Sequence, residues 1–80
     1  MKAKIYVTLK KGVLDPQGKA ILSSLSHLGV EGVEDVRVGK YMEIALKDLG
    51  REEAQRLLDD ACRRLLANTV IEDYRIEIEG

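Results

Sequence analysis

Eighty residues with 45% hydrophobic and 34% charged side chains describe one small globular domain, spanning residues 1–80, and neither a disordered tail nor a membrane protein. Thirteen basic against 14 acidic residues leave a net charge of −1, spread along the chain, so there is no basic block to hold nucleic acid by its phosphates. A domain this size buries only about 60% of its unfolded surface, which leaves little room for a deep catalytic cleft beside a full core. Membership of a larger assembly is the commoner use of such a chain. No apolar run approaches the roughly 20 residues needed to cross a bilayer. The N-terminus reads directly as a strand, without a signal-peptide pattern. Cys62 is the single cysteine, so no intrachain disulfide forms, and a reducing cytoplasm is expected.

Residues 2–10 alternate: Ala3, Ile5, Val7 and Leu9 share one face, with Lys4, Tyr6, Thr8 and Lys10 on the other. This is the pattern of a half-buried strand. Gly12 is the expected turning point of a short connection. Asp15-Pro16 then opens a helix, Asp15 as the capping acceptor and Pro16 at the first position, where a missing N–H costs nothing. Ile21, Leu25 and Leu28, at i, i+4 and i+7, form its apolar stripe, and Gly29 is a natural stop. Gly18 in the first turn either permits close approach of another backbone or marks a weak helix start; the weak start is the plainer reading.

Asp35 to Leu46 predicts a hairpin, two alternating runs that meet at Gly39-Lys40. A two-residue loop with Gly39 at positive φ pairs Val38 with Tyr41 and sets the two apolar rows on opposite faces. A three-residue loop or a bulge pairs Val38 with Met42 and aligns them, and is preferred; a sheet covered on both faces stays open. A second helix is expected over residues 51–67, with Ala54, Leu57, Leu58, Ala61 and Leu65 as its apolar stripe. Glu52/Arg56, Asp59/Arg63 and Asp60/Arg64 are acid-before-base pairs on a solvated face. Asn68 is a plausible cap. From Val70 onward Tyr74, Ile76 and Ile78 alternate with charged residues in a final strand.

The order strand, helix, strand, strand, helix, strand predicts an α+β two-layer sandwich of ferredoxin-like βαββαβ topology. Its four-stranded antiparallel sheet carries both helices on one face. The other face then holds Tyr6, Thr8 and Tyr41, and two tyrosines exposed there suggest an interface.

No catalytic, cofactor-binding or metal-binding constellation is expected. His27 is the only histidine, Cys62 reads as a small buried hydrophobe, and neither has the partners that a nucleophilic pair or a metal site requires. Gly39-Lys40 lacks a phosphate-loop context, and the strands lack the aromatic residues on which an RNA-binding sheet stacks bases. A small-ligand-sensing regulatory domain of this fold remains an alternative, as does a subunit whose work is contact with other proteins.

Three stretches resemble the PurS family. They are Ile5 to Lys10 with Val13 to Gly18, the central Val36 to Glu43, and Leu65 to Arg75. PurS is the small subunit of phosphoribosylformylglycinamidine synthase, and the resemblance covers nearly the whole chain. It implies a subunit with no active site of its own, within a glutamine-dependent, ATP-consuming C–N ligase of de novo purine (IMP) biosynthesis. A glutaminase subunit releases ammonia and a large ATP-dependent synthase subunit uses it, so ATP and glutamine belong to those partners. The small subunit bridges the two, assists ammonia transfer, and acts as a homodimer or higher homo-oligomer. Tyr6 and Tyr41 with the sheet edges are then candidates for self-association. Arg37, Lys40 and the Asn68 to Arg75 stretch, which includes Thr69, are candidates for contact with the larger subunits.

Overall fold

A computed structural model describes residues 1–80. Strand β1 (Lys2–Leu9) is followed by helix α1 (Pro16–His27), strand β2 (Gly39–Ala45), helix α2 (Arg51–Ala61) and strand β3 (Glu72–Glu79). A π-helical turn, Cys62–Leu66, continues α2. The sheet is antiparallel, ordered β2-β1-β3, so the alternating strand at the N-terminus becomes its centre.

Ala3, Ile5 and Val7 are wholly buried on one sheet face, as their alternation requires. Above them lies α2. Ala54, Leu58 and Cys62, one helical turn apart, are the buried line of α2, and Leu58 and Cys62 close the core with Ala67. Met42 and Ile44 of β2 and Tyr74, Ile76 and Ile78 of β3 pack round this centre, half-buried. Gly12 turns the chain at φ +89°, and Gly29 ends α1 at φ +79°, a conformation open to glycine at no steric cost.

The sheet has three strands where four are expected, because the hairpin does not form. Asp35 to Val38 is not a strand, and Gly39 and Lys40 are not a turn: they pair with Thr8 and Val7 inside β2. Gly39 has no positive φ; an added Cβ would lie 2.5 Å from the carbonyl oxygen of Val7, so close packing on β1 is its constraint. The backbone before it is satisfied elsewhere. Asp15 caps α1 through Oδ1 to the Gly18 N–H at 2.8 Å, and its Oδ2 accepts from the Val38 N–H at 2.7 Å. Gly18 is the point of close approach, contrary to the plainer reading: a Cβ there would sit 2.1 Å from the Val36 carbonyl oxygen.

A second correction concerns α1, which is not packed on the sheet beside α2. With residues 30–38 it forms an arm beyond the end of β1. Ile21 and Leu28 of its stripe are exposed, Leu28 at 77%. On α2, Leu57 and Leu65 are also exposed, so only part of the expected stripe faces the core. The final strand starts at Glu72, since Val70 and Ile71 belong to the preceding turn.

Candidate functional site

Three clusters contain the residues singled out by sequence. The first lies on the sheet face that α2 leaves open. Tyr41 and Arg75 stand on either side of Tyr6 in register, on β2 and β3. The Arg75 guanidinium sits 4.1 Å over the Tyr6 ring, and the Tyr6 and Tyr41 ring centres are 5.1 Å apart with planes tilted by 40°. Both contacts are attractive geometries for aromatic rings. Tyr41 donates to Glu43 at 2.8 Å, Arg75 pairs with Glu77, and Lys2 and Lys4 pair with Glu43 and Glu79 at 3.2 and 2.6 Å.

These contacts move the ionisations they touch. The hydrogen bond to the Glu43 carboxylate, with a smaller contribution from burial, pushes the Tyr41 hydroxyl up to about 12. Glu43 is held below the usual carboxylate range, first by Tyr41 and then by Lys2. Glu79 is lowered and Lys4 raised by their mutual hydrogen bond and charge. The face is an aromatic centre inside a ring of alternating charge.

Arg37 forms the second cluster, at the root of the arm. Its guanidinium donates to the carbonyls of Val13 at 2.9 Å and Lys10 at 3.1 Å, and more distantly to Leu9. It therefore ties the connection after β1 to the segment before β2. Beside it, the carboxyl of Asp15 is 4% exposed and held below the usual carboxylate range, mainly by the Val38 and Gly18 amides.

The third cluster is the turn before β3. The Asn68 side chain accepts from the Val70 N–H at 3.2 Å, and its carbonyl receives the Ile71 and Glu72 amides, so Asn68 organises the turn rather than capping the helix. Glu72 returns a bond from the Asn68 N–H at 2.7 Å and reaches Lys40 at 3.8 Å. Lys40 and Asn68 are thus joined through one carboxylate, with Thr69 exposed between Asn68 and Val70. The seven candidates fall in three places: Tyr6, Tyr41 and Arg75 together, Lys40 with Asn68 and Thr69, and Arg37 apart.

His27 and Cys62 lie on elements that do not pack together. The ring Nδ1 of His27 is 2.8 Å from the Ser23 carbonyl oxygen in the exposed last turn of α1. Cys62 is buried, and burial followed by the Asp59 charge pushes its thiol up. No helix is long and apolar enough to cross a membrane.

Sequence reasoning passed over Asp15 as anything more than a cap. Its second oxygen, free after capping, bonds residue 38, and no local spacing signals a contact at that separation. Gly18 carried the available signal, as a glycine in a helical first turn.

A small α+β chain with an open charged sheet face and a helix held clear of that sheet is the class defined by this geometry. The chain belongs to the PurS family, whose profile, described as phosphoribosylformylglycinamidine (FGAM) synthase, matches residues 2–80. It is 50% identical to the phosphoribosylformylglycinamidine synthase subunit PurS of Bacillus subtilis over 78 residues, covering 98% of this chain and 92% of that protein. To the Synechocystis subunit it is 52% identical, over 94% of this chain and 75% of the relative. The crystal structure of the Bacillus subtilis PurS superposes with a TM-score of 0.89 at 49% identity, over 99% of this chain and 98% of the other. A chain in the structure of PurLQS from Thermotoga maritima superposes at 0.87 with 30% identity, over 95% and 93% of the two chains.

Proposed function

We propose that this chain is the small, non-catalytic subunit of phosphoribosylformylglycinamidine synthase, acting in de novo purine (IMP) biosynthesis in the cytoplasm. It bridges a glutaminase subunit and a large ATP-dependent synthase subunit and assists the passage of ammonia between them. Glutamine and ATP are consumed by those partners. The observation that carries this reading is the likeness, along nearly the whole chain, to a chain of the Thermotoga maritima PurLQS structure. The chain works as a homodimer or higher homo-oligomer, with the sheet edges and the Tyr6/Tyr41 face among the surfaces available for self-contact. Lys40, Asn68 and Thr69, at one end of the sheet, and Arg75, on its open face beside Tyr6, are candidates for contact with the larger subunits, as is Arg37, which also fixes the loop after β1.

Reconstitution tests the whole reading. The purified chain, added to the glutaminase and synthase subunits, is expected to restore glutamine-dependent amidation of formylglycinamide ribonucleotide while leaving ammonia-dependent synthesis less affected. No restoration, together with tight binding of an amino acid or nucleotide to the chain alone, would instead support a ligand-sensing domain. Lys40→Glu also reverses a charge at a position whose side chain is 63% exposed. This variant is expected to co-elute less with the two larger subunits while its circular dichroism is unchanged. Unaltered co-elution removes Lys40 from the contact.

A further inference from the structure

Helix α1 and the chain that returns beside it make a groove that none of the three clusters uses. The Val30 N–H closes one end of it on the Leu25 carbonyl at 3.0 Å, just past the turn at Gly29. The flush contact of Gly18 on Val36 closes the other end, with the bond from the Val38 N–H to Asp15 behind it. Residues 30–36 therefore run back along the helix, and both walls are held at a fixed spacing. The groove between them has a volume of about 580 Å³, within the range of small-molecule sites.

Lys19, Ser23, Ser26 and His27 border the groove at i, i+4, i+7 and i+8, on one face of the helix. Ile21, Leu25 and Leu28 lie on the opposite face, so cover for that apolar stripe does not take up the groove. The polar groups here are unspent. Lys19 enters no ion pair, and the hydroxyls of Ser23 and Ser26 bond to nothing in the chain. His27 has Nδ1 on the Ser23 carbonyl, which leaves Nε2 for a ligand: it accepts from a P–OH or, once protonated, donates to a phosphate oxygen. On the facing wall the Glu31, Gly32 and Val33 N–H groups donate to no group in the chain. Gly32, at φ +88°, supplies the left-handed residue around which successive amides form anion-binding concavities. Glu31 is the one carboxylate on the groove. It stands near His27 at the Gly29 end, while Lys19 is eight positions and about 12 Å back along the helix axis.

We infer that this groove binds a sugar phosphate, with the phosphate beside Lys19, Ser23 and the facing Gly32 and Val33 amides, and the sugar hydroxyls toward Glu31 and His27. A free phosphate uses only the cationic end. A carboxylate at the other end accepts from hydroxyl donors and repels a second phosphate. Leu22, Val30 and Val33 give the carbon face of a sugar ring an apolar contact. This binding site goes beyond the bridging role, which makes no use of the groove.

Titration of the isotope-labelled full chain, followed by NMR, tests the site with ribose 5-phosphate and inorganic phosphate as probes. Ribose 5-phosphate is expected to shift the amides of Ser23, Ser26 and residues 31–33, and to bind about tenfold or more tightly than inorganic phosphate. Lys19→Ala is expected to weaken both probes about tenfold, the scale of one hydrogen bond to a charged group. Glu31→Gln is expected to weaken ribose 5-phosphate alone. Both positions are exposed, and unchanged far-ultraviolet circular dichroism checks that the arm is intact. If Lys19→Ala alters the dichroism, Lys19→Gln is read in the same way. Equal affinities for the two probes would overturn the sugar phosphate as ligand. Shifts as large at Lys10, Lys11 and Lys47, abolished by high salt, would reduce the response to unspecific charge and overturn the site. So would the absence of any shift in residues 19–33 with either probe at about 10 mM.

Discussion

Asp15 does two jobs with two oxygens, and Gly18 makes the second possible. Replacing glycine by alanine inside a helix ordinarily gains about 1 kcal/mol. At Gly18 the sign reverses, because the new methyl meets the Val36 carbonyl at 2.1 Å and backbone has to move. Gly18→Ala is expected to destabilise the arm by about 1–3 kcal/mol, the usual cost of overpacking, read as faster amide exchange in α1. Asp15 links the same contact to pH. Its folded-state pKa is lowered, so its stabilising contribution is complete above the unfolded value of about 3.9 and is lost as pH falls from there through the folded value. As pH falls below about 4 the Val38 and Gly18 amides are expected to lose protection, and Asp15→Asn is expected to flatten that dependence. The cap itself was legible, since Asp-Pro before an apolar stripe is a local pattern. The strap to residue 38 was not, because which backbone N–H an oxygen finds across 23 residues is decided by tertiary folding.

At the level of elements, periodicity located β1, both helices and β3, because each spaces its apolar residues at its own helical or strand period. It failed at residues 35–38 for an identifiable reason. Val36 and Val38 alternate with charged residues as a strand would, yet the Val38 N–H is taken by the Asp15 carboxylate and the Val36 N–H by that of Asp35, not by a neighbouring strand. Alternation reports which side chains are apolar; it does not report who takes the N–H. The same limit explains α1. Ile21, Leu25 and Leu28 define a face needing cover, but the pattern is silent on whether the cover belongs to the same chain. In α2, the buried line runs through Ala54, Leu58 and Cys62, while Leu57 and Leu65 face outward. Leu58→Ala is therefore expected to cost about 2–5 kcal/mol in denaturant unfolding, the range for emptying a core leucine site, whereas Leu65→Ala leaves the isolated fold nearly unchanged.

The whole molecule is 49 Å long and 15 Å across its thinnest direction, longer than a self-contained chain of this size has reason to be. If its missing cover comes from a second copy, folding and association are one equilibrium. The midpoint of thermal unfolding is then expected to rise with protein concentration, as scanning calorimetry over a hundredfold range would show; a constant midpoint means the cover comes from elsewhere. Of the candidate residues, the Tyr6 and Tyr41 pair was the most legible, because strand alternation puts both on the open face; Arg75, expected in the stretch that meets the larger subunits, joins them only through the pairing of β1 with β3. Their stacking depended on the register of β1 with both neighbours, which no single strand specifies.

That register carries a kinetic consequence. β1 is the middle strand, yet the partner on one side of it, β3, lies roughly 70 residues away along the chain, with Lys2 opposite Glu79. While the polypeptide is being made, Ala3, Ile5 and Val7 can pair with β2 once about half the chain is delivered, but their other edge stays open until β3 follows. The sheet closes across the largest loop the chain offers, a slow step for a domain this small. Truncation before β3 removes far more than an edge strand, since it uncovers the centre of the core.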